Sequence, residues 1–168
     1  MTRLLLPAAL GLAALGVTSC ATTNLVQVWR DPGYTPASIR RILVVAVIPH
    51  PPDRLSFENA IAESLARKGF EVATSSGVVP PGQADNDKIV AYVKDMGVDL
   101  VVVLRLVTVH GAWSGAADIN VYAAKMGSEW PVWSGTSSTS NFSTAQEASA
   151  SVAASLLYGL INAQILVR

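Results

Sequence analysis

A second cysteine is missing from this sequence. Cys20 stands alone among 168 residues, which excludes an intramolecular disulfide and a structural zinc site built on paired thiolates. Histidine is nearly as scarce: His50 and His110 are the only two. Neither belongs to a His-Glu-x-x-His pair or has an acidic neighbour at ligand spacing, so no metalloenzyme motif is written here. Charge is thin as well. Charged residues make up 14% of the chain, and no basic cluster is longer than Arg40-Arg41 or Arg67-Lys68. Phosphate binding depends on concentrated positive charge, so nucleic acid is not an expected partner. No glycine-rich loop followed by lysine appears, and Gly111-Ala112-Trp113-Ser114-Gly115 places its serine one position late for a nucleophile elbow. No acidic tail and no long Gly/Ser or Pro-rich tether is present.

What the chain has in excess is apolar surface, at 51% hydrophobic residues. Part of it lies at the N-terminus, where Met1-Thr2-Arg3 is followed by an apolar run of about 14 residues, Leu4 to Val17. That is the length of a signal-peptide core and is short of the roughly 20 residues that span a bilayer. The run closes on Val17-Thr18-Ser19-Cys20, which resembles the lipobox of bacterial lipoproteins. Small side chains precede the cut, and the thiol is the nucleophile that takes up diacylglycerol. The resemblance implies that residues 1–19 are a signal peptide. It also implies that Cys20 carries a diacylglyceryl thioether and, in many bacteria, a further chain such as palmitate on the new amino group. Two or more chains, at about 0.8 kcal/mol per buried CH₂, make a stable membrane anchor where one is marginal. Ala21, rather than Asp, follows the cysteine. By the sorting rule of Gram-negative lipoproteins this implies the outer membrane, with the protein facing the periplasm. Loss of residues 1–19 removes Arg3 and no acidic group, leaving 149 residues with 11 basic against 12 acidic side chains.

The expected organisation is a signal peptide (1–19), a lipidated N-terminus and short tether (20–23) and one globular domain (24–168). Asn24 to Arg30 reads as a strand, and Asp31-Pro32-Gly33-Tyr34-Thr35-Pro36 as a turn. Arg41 to Ile48 is an uninterrupted apolar run rich in β-branched residues, as in a strand buried on both faces. A helix capped by Asp53 or Ser56 follows, with Phe57, Ala60, Ile61, Ser64 and Leu65 as its inward stripe and Arg67-Lys68-Gly69 as its close. Phe70 to Thr74 is a short strand and Ser75 to Ala84 a loop. A helix from Asp85-Asn86-Asp87 to Gly97 carries Ile89, Val93 and Met96, and Val98 to Val109 is the strongest strand signal. Strand, helix, strand, helix, strand is the pattern of right-handed parallel crossovers. The pattern then changes to an antiparallel hairpin. Asp118 to Lys125 alternates, Met126-Gly127-Ser128-Glu129 turns and Trp130 to Thr136 returns. A long helix, about Thr144 to Leu166, ends the chain with Val152, Leu156, Leu160 and Ala163 on one stripe. The fold class is therefore α/β: a single-domain sandwich with a mixed sheet, a parallel β-α-β-α-β core, an antiparallel C-terminal hairpin and a long C-terminal helix.

Several short motifs occur in an order that resembles a family of bacterial lipoproteins of unassigned chemistry. They are the lipobox, Trp29-Arg30-Asp31-Pro32, the Ile42–Ile48 strand, Phe57-Glu58, Gly97-Val98-Asp99 and Val132-Trp133-Ser134-Gly135. In the order of its elements the chain is also similar to the small α/β domains of periplasmic assembly lipoproteins, such as the curli secretion lipoprotein and the N-terminal domain of TolB. That likeness concerns fold and implies nothing about chemistry.

Two surfaces stand out as possible contact sites. One is the loop beyond the long strand, His110 to Ala117 with Trp113 at its tip. His50 and its prolines are expected at the same edge, where sheets of this type bind ligands. The other is the pair Trp130 and Trp133. Placed on opposite faces of a strand, one fills the core while the other is free to anchor an interface. No catalytic, cofactor or metal residue is assigned. The leading reading is a non-enzymatic lipoprotein held in the envelope by Cys20, which binds a protein or assists assembly. A periplasmic binder of a small molecule or lipid is the alternative. A hydrolase using His50 or His110 ranks last, because no acid–base–nucleophile set accompanies either histidine.

Overall fold

A computed structural model describes residues 21–36, 38–79, 86–110, 114–124 and 130–167. Its elements follow in the order β1 (Thr22–Arg30), β2 (Arg41–Val47), α1 (Pro51–Ala66), β3 (Glu71–Thr74), α2 (Ser75–Val78), α3 (Asn86–Asp95), β4 (Leu100–His110), β5 (Ser114–Ala123), β6 (Trp133–Ser140) and α4 (Ala145–Asn162). The six strands form one open sheet in the order β1-β6-β5-β4-β2-β3. β2 pairs in parallel with both β3 and β4, whereas β4–β5, β5–β6 and β1–β6 are antiparallel. The mixed α/β sheet with a parallel centre and a long C-terminal helix is thus present.

The parallel core arises because β2 and β4 are apolar on both faces. Ile42, Val44 and Ala46 of β2, with Leu100, Val102 and Leu104 of β4, lie in the main core, and Leu43 on the reverse face is also fully buried. A strand that shows water to neither face is stable only between two layers. α1 supplies one of them, packed against β2 and β3. β2 connects through α1 to β3, and β3 returns past β2 to β4. Right-handed connections running in opposite directions put their helices on opposite faces. α4 packs beside α1 and over β6 and β1. From β5 onward the sheet is one-sided. Burial alternates with a period of two along β5 and β6, with Ile119, Val121, Trp133 and Ser137 inward. Except for Ala116 the outward positions carry polar side chains, and Thr136 donates to its cross-strand partner Asp118 at 2.8 Å. That is what an antiparallel face turned toward water requires.

Several boundaries differ from the sequence reading. β1 starts at Thr22, so Thr22 and Thr23, expected in the tether, belong to the sheet. β4 and β5 form a second hairpin. The small residues Gly115, Ala116 and Ala117, assigned to a loop, pair with the end of β4, their low strand propensity overridden by the ladder. Trp130 precedes the return strand, which begins at Trp133. α1 begins at Pro51 with His50 as a cap whose side chain makes no capping bond to the helix backbone. Ser56 lies inside the helix and donates to the Pro52 carbonyl instead. Ser75–Val78, read as loop, is one turn of helix capped by Thr74. Gly69 and Gly97, at φ 85° and 61°, end their helices as the sequence suggests. The signal peptide, Cys20, Asp85, the Pro80-Pro81-Gly82 stretch, Trp113 and the Met126–Glu129 turn lie outside the described residues.

Candidate functional site

The motifs that carry the lipoprotein resemblance prove to build the fold. In Trp29-Arg30-Asp31-Pro32 the Arg30 guanidinium donates to the Tyr34 carbonyl at 3.0 Å, and Asp31 accepts from the Gly33 amide at 2.8 Å, closing a tight turn. Asp99 accepts the amides of Arg40 and Arg41 at 2.8 and 2.9 Å and so locks the start of β2 to that of β4. Glu58 is fully buried. Its carboxylate accepts from the Ala46 amide at 3.0 Å, the Ser76 amide at 2.9 Å, the Ser75 hydroxyl and Arg54 Nε at 3.3 Å. Burial pushes the pKa of Glu58 up, but the hydrogen bonds from Ser75, Ser76 and the Ala46 amide outweigh it, and the net shift is downward. A buried carboxylate is the usual first suspect for catalysis. Here all four hydrogen bonds tie together α1, β2 and α2, and the side chain has no exposed surface. The sequence reading named Glu58 only as part of the Phe57-Glu58 motif and gave it no role, because a charged residue beside Phe57 reads as the solvent side of a helix.

Trp133, proposed as a contact residue, is a core residue with no exposed surface. It occupies the first inward position of β6. Gly135 and Gly159 leave room for its ring: a Cβ at either would lie within 3.0 or 3.3 Å of it. Trp130 is the exposed member of the pair, at 79%. His50 is exposed and, against the expectation of no acidic neighbour, lies 3.1 Å from the Asp53 carboxylate, one helical turn on. His110 ends β4 opposite Ser114.

Two hollows lie at the carboxyl end of the parallel strands. One, at the β2–β4 switch point, is lined by Val47, Pro49, Arg54, Ser75, Ile89 and Arg105. Its Arg54 is already engaged by Glu58 and Ser75. The other is a pocket of about 210 Å³ between the N-terminal turns of α1 and α4 and the ends of β4, β5 and β6. Its apolar lining includes Ile48, Phe57, Leu106, Val109, Phe142 and Val152, and among the described residues Asp53 is its one ionisable group. Both lie at the edge where His50 was expected, but α4 and the segment before it supply one wall of the pocket, a position that sequence periodicity could not foresee. Among the described residues no three His, Cys, Asp or Glu side chains are grouped to hold a metal, and no helix is long and apolar enough to cross a membrane.

A third feature is strand β1. Among the described residues it is an edge strand paired with β6 alone, and it exposes Val26, Val28 and Trp29 at 44%, 51% and 46%. Gln27, at φ 51°, sits where its register with β6 shifts. A bulge on an edge strand discourages further strand addition, so a partner there would meet side chains rather than extend the ladder.

No protein-family model matches the chain, and no curated protein matches it in sequence. Solved structures do. Two crystal forms of the PelC dodecamer from Paraburkholderia phytofirmans superpose with TM-scores of 0.55 and 0.54 at 17% and 14% identity. They cover 80% and 83% of this chain and 98% and 96% of theirs. The lipoprotein GNA1162 from Neisseria meningitidis gives a TM-score of 0.47 at 17% identity, over 73% of this chain and 94% of its own. TolB from Acinetobacter baumannii gives 0.41 at 12% identity, over 84% of this chain and 31% of its own. At these identities the likeness to PelC establishes a shared fold.

Proposed function

We propose that this protein is a lipid-anchored, non-catalytic module of the bacterial outer membrane, facing the periplasm, that works by assembling with other envelope proteins through β1. The observation that carries the reading is the position of that strand. Its first residue lies two places after Cys20, and its three exposed apolar side chains follow within seven residues of that start. Ser151 and Ser155 of α4 donate to the carbonyls of Ala21 and Thr23 at 3.1 and 3.0 Å, so the chain is bound to the domain from the residue after the cysteine. A lipid on Cys20 would hold the domain against the bilayer with this edge close to the membrane surface. The fold shared with a dodecamer-forming protein favours further copies of the same chain as the partner.

The test is in-cell photo-crosslinking of the full-length protein, with a photoreactive amino acid at Trp29, Trp130 or, as a buried control, Trp133. An adduct of twice the subunit mass from Trp29 supports self-assembly, and a discrete adduct of another mass identifies a different partner. A membrane-bound protein that gives no adduct from Trp29 or Trp130 refutes assembly through these surfaces. Palmitate labelling that persists in Cys20→Ala refutes the anchor.

A further inference from the structure

The pocket between α1 and α4 calls for a ligand of its own, and its chemistry narrows the choice. Beyond the apolar side chains named above, the wall holds four hydroxyl groups among the described residues, each in a hydrogen bond within the protein. Ser137 donates to the Ala117 carbonyl at 3.1 Å, and Thr139 and Thr23 share a hydrogen bond at 2.9 Å. Ser143 donates to Glu147 at 2.9 Å, and Thr144 accepts the Glu147 amide at 3.1 Å. Asp53 is paired with His50 at the solvent side. A polar ligand entering this space would give up its hydration and find its counterparts already occupied. An alkyl chain would lose nothing.

Size and position point the same way. An apolar cavity of 150 Å³ accepts benzene. By that measure the pocket's 210 Å³ takes about eight carbons of a single chain. The mouth lies at the end of the sheet where the mature chain begins. Thr22 of β1 and Ser114 of β5 both pair with Ser140 of β6, in one row across the sheet. Thr139, one residue back, lines the pocket and bonds to Thr23. Ala21 is tied to Ser151 of α4, the helix whose Ala148 and Val152 form the pocket's other wall. Crossing from β1 to β5 takes two strand spacings, about 10 Å. A lipid chain reaches about 15 Å, half the thickness of a bilayer's hydrocarbon core. The distance is within reach.

We propose that this pocket seats one fatty acyl chain, supplied by the lipid on Cys20. The source of the chain rests on the lipidation proposed above, whereas the apolar seat does not. A chain leaving the bilayer gains little by entering, since both surroundings are apolar. A chain exposed to water gains with every methylene it buries. The pocket therefore matters most when the protein is away from a membrane.

The full-length protein is produced in cells fed a fatty acid that carries a diazirine near its tail, purified, freed of lipid and detergent into aqueous buffer, then irradiated, digested and sequenced by mass spectrometry. The expected product joins the Cys20 peptide to a peptide containing Val109, Phe142 or Val152. Val109→Trp, at an exposed lining position, narrows the mouth. It is expected to lower that product at least fivefold with the lipid mass on Cys20 unchanged. Should this variant melt early, Ala145→Leu repeats the test from the opposite wall. Lipidated protein whose label reacts only with water overturns the acyl seat and leaves the anchor standing. Protein with no lipid mass overturns the anchor and the source together. Cys20→Ala protein irradiated among diazirine phospholipids then decides on the seat. Insertion at the same peptides assigns the chain to the bilayer, and none removes the seat.

Discussion

Glu58 is buried without exposed surface and accepts four hydrogen bonds that join α1 to β2 and α2. Glu58→Gln keeps the shape and removes the charge. The best orientation leaves the amide oxygen toward Ala46, Ser75 and Arg54 and turns the NH₂ toward the Ser76 amide, donor against donor. One buried amide left unsatisfied costs about 1–3 kcal/mol, and the remaining bonds lose their charge assistance. A total near 3 kcal/mol corresponds to a fall in Tm of roughly 6–12 °C for a domain of this size. Thermal melts of the mature protein in detergent at neutral pH measure it, and a shift below about 2 °C would refute the latch. The pH dependence has a definite sign. Because the folded-state pKa lies below the unfolded one, the carboxylate's contribution is complete above the unfolded value, about 4.3, and is lost as pH falls through the folded value. The gap in Tm between wild type and Glu58→Gln should therefore hold from pH 8 to about 5.5 and close on further acidification. A gap that closed as pH rose would contradict the assignment.

Three other substitutions test separate parts of the fold. Thr144 caps α4 through the Glu147 amide at 3.1 Å, so Thr144→Ala should cost about 1 kcal/mol, read as a lower denaturant midpoint with unchanged slope. A Cβ at Gly159 would lie 2.7 Å from Leu25 Cδ1 and 3.3 Å from the Trp133 ring. Gly159→Val should therefore destabilise by about 1–3 kcal/mol and speed amide exchange in β1. Arg41 and Glu71 form an exposed pair at 2.8 Å. Glu71→Gln should lower Tm by less than about 4 °C, and that loss should vanish in about 1 M salt. A loss as large as that for Glu58→Gln would overturn the distinction between exposed and buried carboxylates.

The elements and their class were legible in the sequence, because hydrophobic period is a local property. The apolar runs at 42–48 and 100–104, the stripe Phe57, Ile61, Leu65 and the alternation around Ile119 to Ala123 each report one face of one element, and each is where the structure places it. The lipobox is local too, which is why the anchor could be expected from a handful of residues. Pairing across the chain is not a local property. Nothing near Thr22 indicates that it lies against Ser140, and nothing near Glu58 indicates that Ser75 and Ser76 will meet it. Trp130 and Trp133 have similar neighbours in sequence. Only the inward side of β6 and the space left by Gly159 on α4 make one of them core and leave the other in solvent. The acyl-sized pocket has the same origin: its walls come from α1, β4, β5, β6 and α4. A cavity is a property of surfaces brought together, and only the tertiary fold decides which surfaces those are.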